Sequence, residues 1–259
     1  MGKLLAIDGW NIVRRLYEAS DEADAAARAD KALRHASSAF ARLLAHHQPT
    51  HAFVAFDTGG HTWRHELHAA YRQNRTPMPA ELQQALPELQ AQLAAIGMRS
   101  LAVPEVEADD VIATAVMRWL REERGEAILV STDKDLHGLI AQGALIWDHF
   151  RNEWHDSDWV QAKFGVAPAQ LPDLLALVGD APDGIPGVSK IGMKTAARLL
   201  QNYGSIEGIM AGAGILKDAL GERLRKESAN LALSRQLTAL KTDVRIGVTW
   251  NMLACAPRH

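Results

Sequence analysis

Nine carboxylates stand at five places where a strand should end or a helix should begin: Asp8 in L-L-A-I-D-G, Asp57 in F-V-A-F-D, Glu107, Asp109 and Asp110 in V-E-A-D-D-V, Asp133 and Asp135 in S-T-D-K-D-L, and Asp180 and Asp183 in G-D-A-P-D-G-I-P-G. That much negative charge on one edge repels itself unless a cation sits among it. Divalent metal held by carboxylate oxygen is the natural counter-charge, and its usual chemistry is at phosphate. Each cluster also has a plain local reading. Carboxylates at 107–110 complement the dipole of a helix start, Asp133 suits an N-cap, and Asp180 and Asp183 suit a turn. Those readings leave the acids scattered, whereas a common sheet edge would bring them together.

The elements that must position them alternate. Residues 3–8, 51–57, 98–103, 126–131 and 144–147 are short, apolar and partly β-branched, as strands are. Between them, 24–46 and 108–124 are Ala- and Leu-rich with helical periodicity. In the second, Ile112, Val116, Trp119 and Leu120 recur on the face that carries Asp109, so packing that face on a sheet aims Asp109 inward. The alternation predicts an α/β fold, a mainly parallel sheet flanked by helices, over residues 1–165. In such folds the ligand crevice lies at the carboxyl ends of the strands, where Asp8, Asp57 and Asp133 would sit. Beyond about residue 165 the strand signal stops. Helices are expected at 171–178, 193–203, 217–226 and 228–240, making 166–259 a smaller helical region.

Composition sets outer limits. The chain has 259 residues, 47% hydrophobic and 23% charged, enough for one large or two smaller cores. Its single cysteine, Cys255, forms no internal disulfide and fits a reducing compartment. Asp8 interrupts the first apolar run too early for a signal peptide, Gly2 lacks the Ser or Thr that follows a myristoylation site, and no stretch approaches a membrane span. A cytoplasmic monomer without membrane contact is expected. The net charge of −3 hides an asymmetry: residues 1–180 carry 17 Lys and Arg against 25 Asp and Glu, a balance of −8, and residues 181–259 carry 11 against 6, or +5. Acid gathered for metal and a basic carboxyl-terminal part that holds a polyanion would produce that split.

Two segments have the residues to meet nucleic acid. From Gly59 to Pro79, Arg64, Arg72 and Arg75 interleave with Trp63, His65, His68 and Tyr71, a mixture that suits a single strand with charged phosphates and stacking bases. The turn G-I-P-G-V-S-K-I-G leaves backbone amides free where a helix begins near Met193, and Gly192, Lys190, Lys194 and Thr195 stand ready for a phosphate there.

The sequences V-E-A-D-D-V, S-T-D-K-D-L and G-D-A-P-D-G-I-P-G-V-S-K-I-G-M-K-T-A, in that order, resemble the flap endonucleases and 5′ to 3′ exonucleases, and the likeness runs from Leu4 to about Leu240. The resemblance implies a PIN-like nuclease core with an arch or clamp at about 58–96 and a helix-two-turn-helix element at about 171–203 that grips duplex DNA. It implies two Mg²⁺ or Mn²⁺ ions, the first served by Asp8, Asp57, Glu107, Asp109 and Asp110, the second by Asp133, Asp135, Asp180 and Asp183. It further implies K⁺ held by carbonyls of Leu177, Val178, Pro186, Val188 and Ile191. Arg64, Tyr71 and Arg75 would meet the strand under the arch. Arg15, Arg72 and Lys134 would face the reacting phosphate. Many members place Lys where this chain has Arg72; arginine keeps the charge and can grip phosphate with two donors, but it does not readily give up a proton. The expected function is a structure-selective metal-dependent 5′ nuclease acting on branched or 5′-flap DNA. The alternatives are a PIN-type ribonuclease, which has fewer acids, and a catalytically silent DNA-binding module.

Overall fold

The first strand, β1 (Gly2–Asp8), is apolar on both faces because helices cover both. Leu5 and Ile7 enter one core layer and Leu4 and Ala6 the other, all of them fully buried. The computed structural model describes residues 2–213 and 218–255. After β1 come α1 (Gly9–Glu18), α2 (Ala25–His47), β2 (His51–Ala55), α3 (Trp63–Leu67), α4 (Ala80–Ala95), β3 (Arg99–Leu101), α5 (Ala108–Arg121) and β4 (Gly125–Val130). A 3-10 segment at Lys134–Gln142 leads into the hairpin of β5 (Leu145–Asp148) and β6 (Glu153–His155), then α6 (Ser157–Phe164).

The sheet order is β3-β2-β1-β4-β5-β6, parallel throughout except for β6, which runs antiparallel to β5. One face packs on α1, α2 and α4, the other on α5 and the carboxyl-terminal segment. The α/β fold read from the sequence is the one observed, with β6 added to it.

The segment expected as arch divides in two. Residues 80–95 form α4, whose Leu82, Leu89 and Leu93 are fully buried against the layer containing α2. Their spacing of seven and four puts all three on one helical face, so this half is core scaffold. The overhang is the first half, around α3 and the turns that follow it, which lines the groove beyond the strand ends, with Gln83 and Leu86 of α4 beside it.

The carboxyl-terminal part is helical: α7 (Leu171–Val178), α8 (Met193–Tyr203), α9 (Ile206–Ala213), α10 (Ala219–Lys226) and α11 (Ser228–Thr238) surround their own apolar core, in which Leu171, Leu174 and Leu200 are fully buried. Position 217, the first of the helix expected at 217–226, lies outside the described residues. An extended segment then returns along α5 to α12 (Trp250–Leu253), tied by Thr114 Oγ1, which donates to the Lys241 carbonyl at 3.1 Å and accepts from the Val244 amide at 3.3 Å. Among the described residues no helix is long and apolar enough to cross a membrane.

Candidate active site

The chain leaves each central strand through a carboxylate. Asp8 ends β1 and caps α1, accepting from the Asn11 amide at 3.1 Å and from Ser131 Oγ at 3.0 Å. Asp57 lies two residues beyond β2, and the Ala108 amide donates to it at 2.6 Å, which ties the first turn of α5 to the strand end. Asp133 follows β4 and caps the 3-10 segment through the Asp135 amide, at 3.0 Å. Since β1 lies between β2 and β4 with parallel register, all three reach the same edge. Capping and strand-end roles coexist with convergence.

The acids repel one another across that edge. Burial chiefly, then Asp133 and Asp57, raise Asp8 to about 7 from an ordinary 3.8. Burial likewise lifts Asp109 well above its ordinary value, helped by Asp133, Asp8, Asp57 and Asp135. Asp135 rises to about 7 through burial and Asp133, although Lys134 opposes this. The chain of repulsion continues from Asp135 to Asp180 and Asp183, and on the other side from Glu107 to Asp57.

The cations stand at the two ends. Glu107 faces Arg64 at 3.3 Å and Arg72 at 3.1 Å. Asp183 faces Arg72 at 3.2 Å and Arg75 at 3.6 Å, and Asp180 is paired with Lys134. In the middle, Asp8, Asp57, Asp109, Asp133 and Asp135 have no Lys or Arg salt bridge among the described residues.

Asp110 is turned away from this group. One residue on from Asp109, it points about 100° round the helix. Arg64 donates to both its oxygens, Trp63 Nε1 donates at 2.8 Å and the Lys241 amide at 2.9 Å. Fully buried and holding four hydrogen bonds, its carboxylate is committed to structure in this conformation. Asp110, which the resemblance puts on the first metal, is here paired with Arg64. Arg64, expected on DNA, is 3% exposed and also donates to the carbonyls of Leu237 and Ala239. Tyr71, expected on DNA as well, is 3% exposed, with its hydroxyl donating to Glu107 at 3.2 Å. Sequence could not separate these buried groups from exposed ones in the same basic, aromatic run.

Arg75 is exposed, and Arg15, also exposed, lies 4.4 Å over the Phe150 ring. Both line a groove of about 1490 Å³ together with Arg72, Asp8, Asp57 and Asp109. Ser131 and Asn11 also belong to this edge, outside the residues that the motifs single out. Ser131 Oγ joins Asp8 to the Asp133 amide, and Asn11 Oδ1 accepts from the Thr132 amide and hydroxyl. The available signal was the Ser just before T-D-K-D and the Asn three residues after a capping Asp.

The double turn between α7 and α8 closes on itself. Asp180 and Ile185 exchange backbone hydrogen bonds, and the Val188 amide donates to the Leu177 carbonyl at 2.9 Å. Leu177, Val188 and Ile191 are buried beneath it, Val178 is half-buried and Pro186 is exposed. Gly187, at φ 60°, lies so close to residue 178 that a Cβ would meet the Val178 carbonyl at 2.6 Å. Helix α8 starts on Gly192, which has no side chain to cap its amides, and Lys190 and Lys194 are exposed beside it, with Thr195 half-buried.

Comparison with known proteins follows the same division. Residues 3–165 match the family described as 5′-3′ exonuclease, N-terminal resolvase-like domain, and residues 166–259 that described as 5′-3′ exonuclease, C-terminal SAM fold. A flap endonuclease Xni of Psychromonas ingrahamii is 36% identical over 246 residues, covering 94% of each chain. One of Shewanella amazonensis is 36% identical over 258 residues, covering 99% of this chain and 100% of its own. The zinc-bound T5 5′-exonuclease superposes with a TM-score of 0.78 at 20% identity, over 93% of this chain and 90% of the other. The catalytic core of Rad2 in complex with DNA substrate gives 0.57 at 15% identity, over 93% and 80%. The chain belongs to the 5′-3′ exonuclease family of nucleases.

Proposed function

We propose that this protein is a structure-selective 5′ nuclease that hydrolyses DNA phosphodiesters at 5′ flaps or 5′ ends with two divalent ions. The observation that carries the reading is the run of mutually repelling carboxylates, from Asp8 and Asp57 through Asp109 and Asp133 to Asp135, none of them in a salt bridge with Lys or Arg among the described residues. An all-oxygen donor set of this charge fits Mg²⁺ or Mn²⁺. Bound there, the ions would supply Lewis acidity at a phosphate and ease loss of a proton from the attacking water. Glu107 reaches the same edge but shares its charge with Arg64 and Arg72, so it is assigned an outer position. Asp180 and Asp183 complete the second group once Lys134 and Arg72 turn to phosphate.

The remaining side chains then have separable tasks. Arg72 and Arg15 flank the groove and neutralise the phosphate, and Arg75 holds the strand at its rim. Arg72 adds charge and two parallel donors without delivering a proton. The open amides of α8, with Lys190, Lys194 and Thr195, take a duplex phosphate by helix dipole and hydrogen bond. K⁺ at the carbonyls around Leu177, Val178, Pro186, Val188 and Ile191 would strengthen that contact. A cytoplasmic monomer suits a chain with one cysteine.

The test is cleavage of a 5′-flap duplex with Mg²⁺ or Mn²⁺, beside Asp109→Asn and Asp180→Asn. Cleavage by wild type that both variants lose is the expected result. Full activity in both variants sinks the metal assignment. Preference for an RNA flap would move the reading to a PIN-type ribonuclease, and tight flap binding without cleavage under either metal to a silent binding module.

A further inference from the structure

The β5–β6 hairpin brings together three metal-capable side chains that the nuclease reading does not use. Asp148 and Glu153 are directly opposite in the antiparallel register, and His155 follows Glu153 by two residues, so pleating puts all three on one face. Like charges directly opposite on neighbouring strands are unfavourable, and this pair lies with Asp148 buried. One ligand atom from each residue falls within 4.8 Å of the others. His155 Nε2 is 3.3 Å from Glu153 Oε1 and 3.9 Å from Asp148 Oδ2.

Hydrogen bonding around the histidine fixes what Nε2 can do. The Asp133 carbonyl can only accept, so His137 Nδ1 carries the proton in their 2.8 Å contact. A neutral His137 then accepts at Nε2, and His155 Nδ1 must donate to it across 2.8 Å. That leaves His155 Nε2, facing two carboxylates, to carry either a second proton or a metal ion. We propose that Asp148, Glu153 and His155 form a binding site for a divalent transition metal of the Zn²⁺ or Co²⁺ class, separate from the carboxylate edge.

Spacing and surroundings favour the ion. Ligands about 2.0–2.2 Å from a tetrahedral metal lie roughly 3.3–3.5 Å apart; the His155–Glu153 pair, at 3.3 Å, has that spacing and the His155–Asp148 pair, at 3.9 Å, would close on the ion by a few tenths of an ångström, and an imidazole with two carboxylates selects Zn²⁺-like ions over Mg²⁺. Ligating histidines commonly donate their second ring N–H, as His155 does to His137, and ligating carboxylates are commonly hydrogen-bonded themselves. Asp148 Oδ1 accepts from the amides of Phe150 at 2.8 Å and Arg151 at 3.1 Å. The imidazole is held flat against Trp159 at 3.6 Å between ring centroids. The ion would pin the hairpin and, through His137, the backbone at Asp133. Arg151, 3.7 Å from Glu153 on the exposed side, is the competing cation.

Visible absorption of Co²⁺ distinguishes the sites, because tetrahedral coordination with nitrogen absorbs far more strongly than octahedral water and carboxylate. Chelator-treated full-length protein would be titrated with Co²⁺, without DNA, as wild type, Glu153→Gln, His155→Gln and Asp109→Asn. A tetrahedral band in wild type and Asp109→Asn, with Co²⁺ affinity at least about tenfold weaker in Glu153→Gln and His155→Gln, is the expected result. Absence of the band, its loss in Asp109→Asn, or its persistence at full affinity in Glu153→Gln overturns the site. Should His155→Gln fail to fold by circular dichroism, Glu153→Gln decides, its side chain being 42% exposed.

Discussion

Arg64 holds Asp110 with a two-pronged contact, Nη1 to Oδ2 at 2.8 Å and Nη2 to Oδ1 at 3.0 Å, deep between the base of the overhang and the segment leaving α11. The neighbouring acid, Asp109, faces the groove and is opposed by other carboxylates. Two adjacent aspartates therefore carry opposite energetic signs. Removing one partner of a buried pair strands a charge and typically costs about 3–5 kcal/mol. Arg64→Ala and Asp110→Asn are expected to lower denaturant stability on that order, with metal affinity largely retained. Asp109→Asn is expected to leave metal-free stability unchanged or higher while abolishing tight Mg²⁺ binding at the carboxylate edge. Urea unfolding and calorimetric metal titration of the three variants check this, and equal loss of stability in all three would contradict it.

Asp8 makes metal-free stability pH dependent. Its folded value, about 7, lies above its ordinary 3.8, so the folded state takes up a proton as pH falls through about 7, before the unfolded chain does. The contribution is therefore full below about 4 and lost as pH rises through about 7. His47 and His137, each lowered by burial to about 4, act in the opposite direction between about 6.5 and 4, so the clean window lies above pH 6.5. In chelator the melting temperature is expected to fall as pH rises from 6.5 to 8. Asp8→Asn should lessen that fall, to which Asp135, also raised to about 7, and Asp109 contribute, and Mg²⁺ should stabilise wild type most at the alkaline end. A slope unchanged in Asp8→Asn would remove Asp8 as its source.

Local signals made the sheet edge legible. Leu4 to Ile7, Phe53 to Phe56 and Ile128 to Val130 are apolar runs that stop at or just before Asp8, Asp57 and Asp133, and a parallel sheet aligns such ends. Tertiary pairing was not legible. Nothing near Arg64 announces that its partner lies 46 residues on, so its charge read as a DNA contact. Strand β6 has three residues, too few for a period-two signal, and it exists because Glu153 to His155 pair back onto β5. Helix α4 follows a basic loop, and its buried leucine face was absorbed into the expected arch.

Arg72 is shared between Glu107 and Asp183, and its backbone sits at φ 52° while its amide donates to the Asp183 carbonyl at 2.9 Å. On the proposed reading its guanidinium leaves these acids for the phosphate. Arg72→Ala is expected to lower single-turnover flap cleavage by about 10²–10³-fold, the range for losing one donor aimed at developing charge. Arg72→Lys should recover much of it, since the charge returns. Similar rates for Arg72→Ala and wild type would exclude Arg72 from the reaction.

Gly187 permits the double turn through both its φ of 60° and its approach to residue 178. Its amide also donates to Ser234 Oγ at 2.8 Å, joining the turn to α11. Gly187→Ala meets backbone, which cannot move aside as a side-chain tip would. It is expected to cost more than about 1 kcal/mol, the usual penalty for a left-handed non-glycine residue alone. Duplex affinity should fall with it, measured by fluorescence anisotropy beside thermal melting. Unchanged melting would show that the turn relaxes.

Lys190 and Lys194 are exposed beside the open amides of α8, and in the proposed role each neutralises one duplex phosphate. Release of condensed counterions then makes the logarithm of affinity fall linearly with that of salt, by about 0.9 per phosphate contacted. Lys190→Ala and Lys194→Ala should each weaken binding about equally for unrelated duplex sequences and reduce the salt slope by about 1. Anisotropy titrations of catalytically blocked Asp109→Asn protein between low and physiological salt would read both quantities. A wild-type slope in both lysine variants would move the duplex contact away from α8, whatever happens to cleavage.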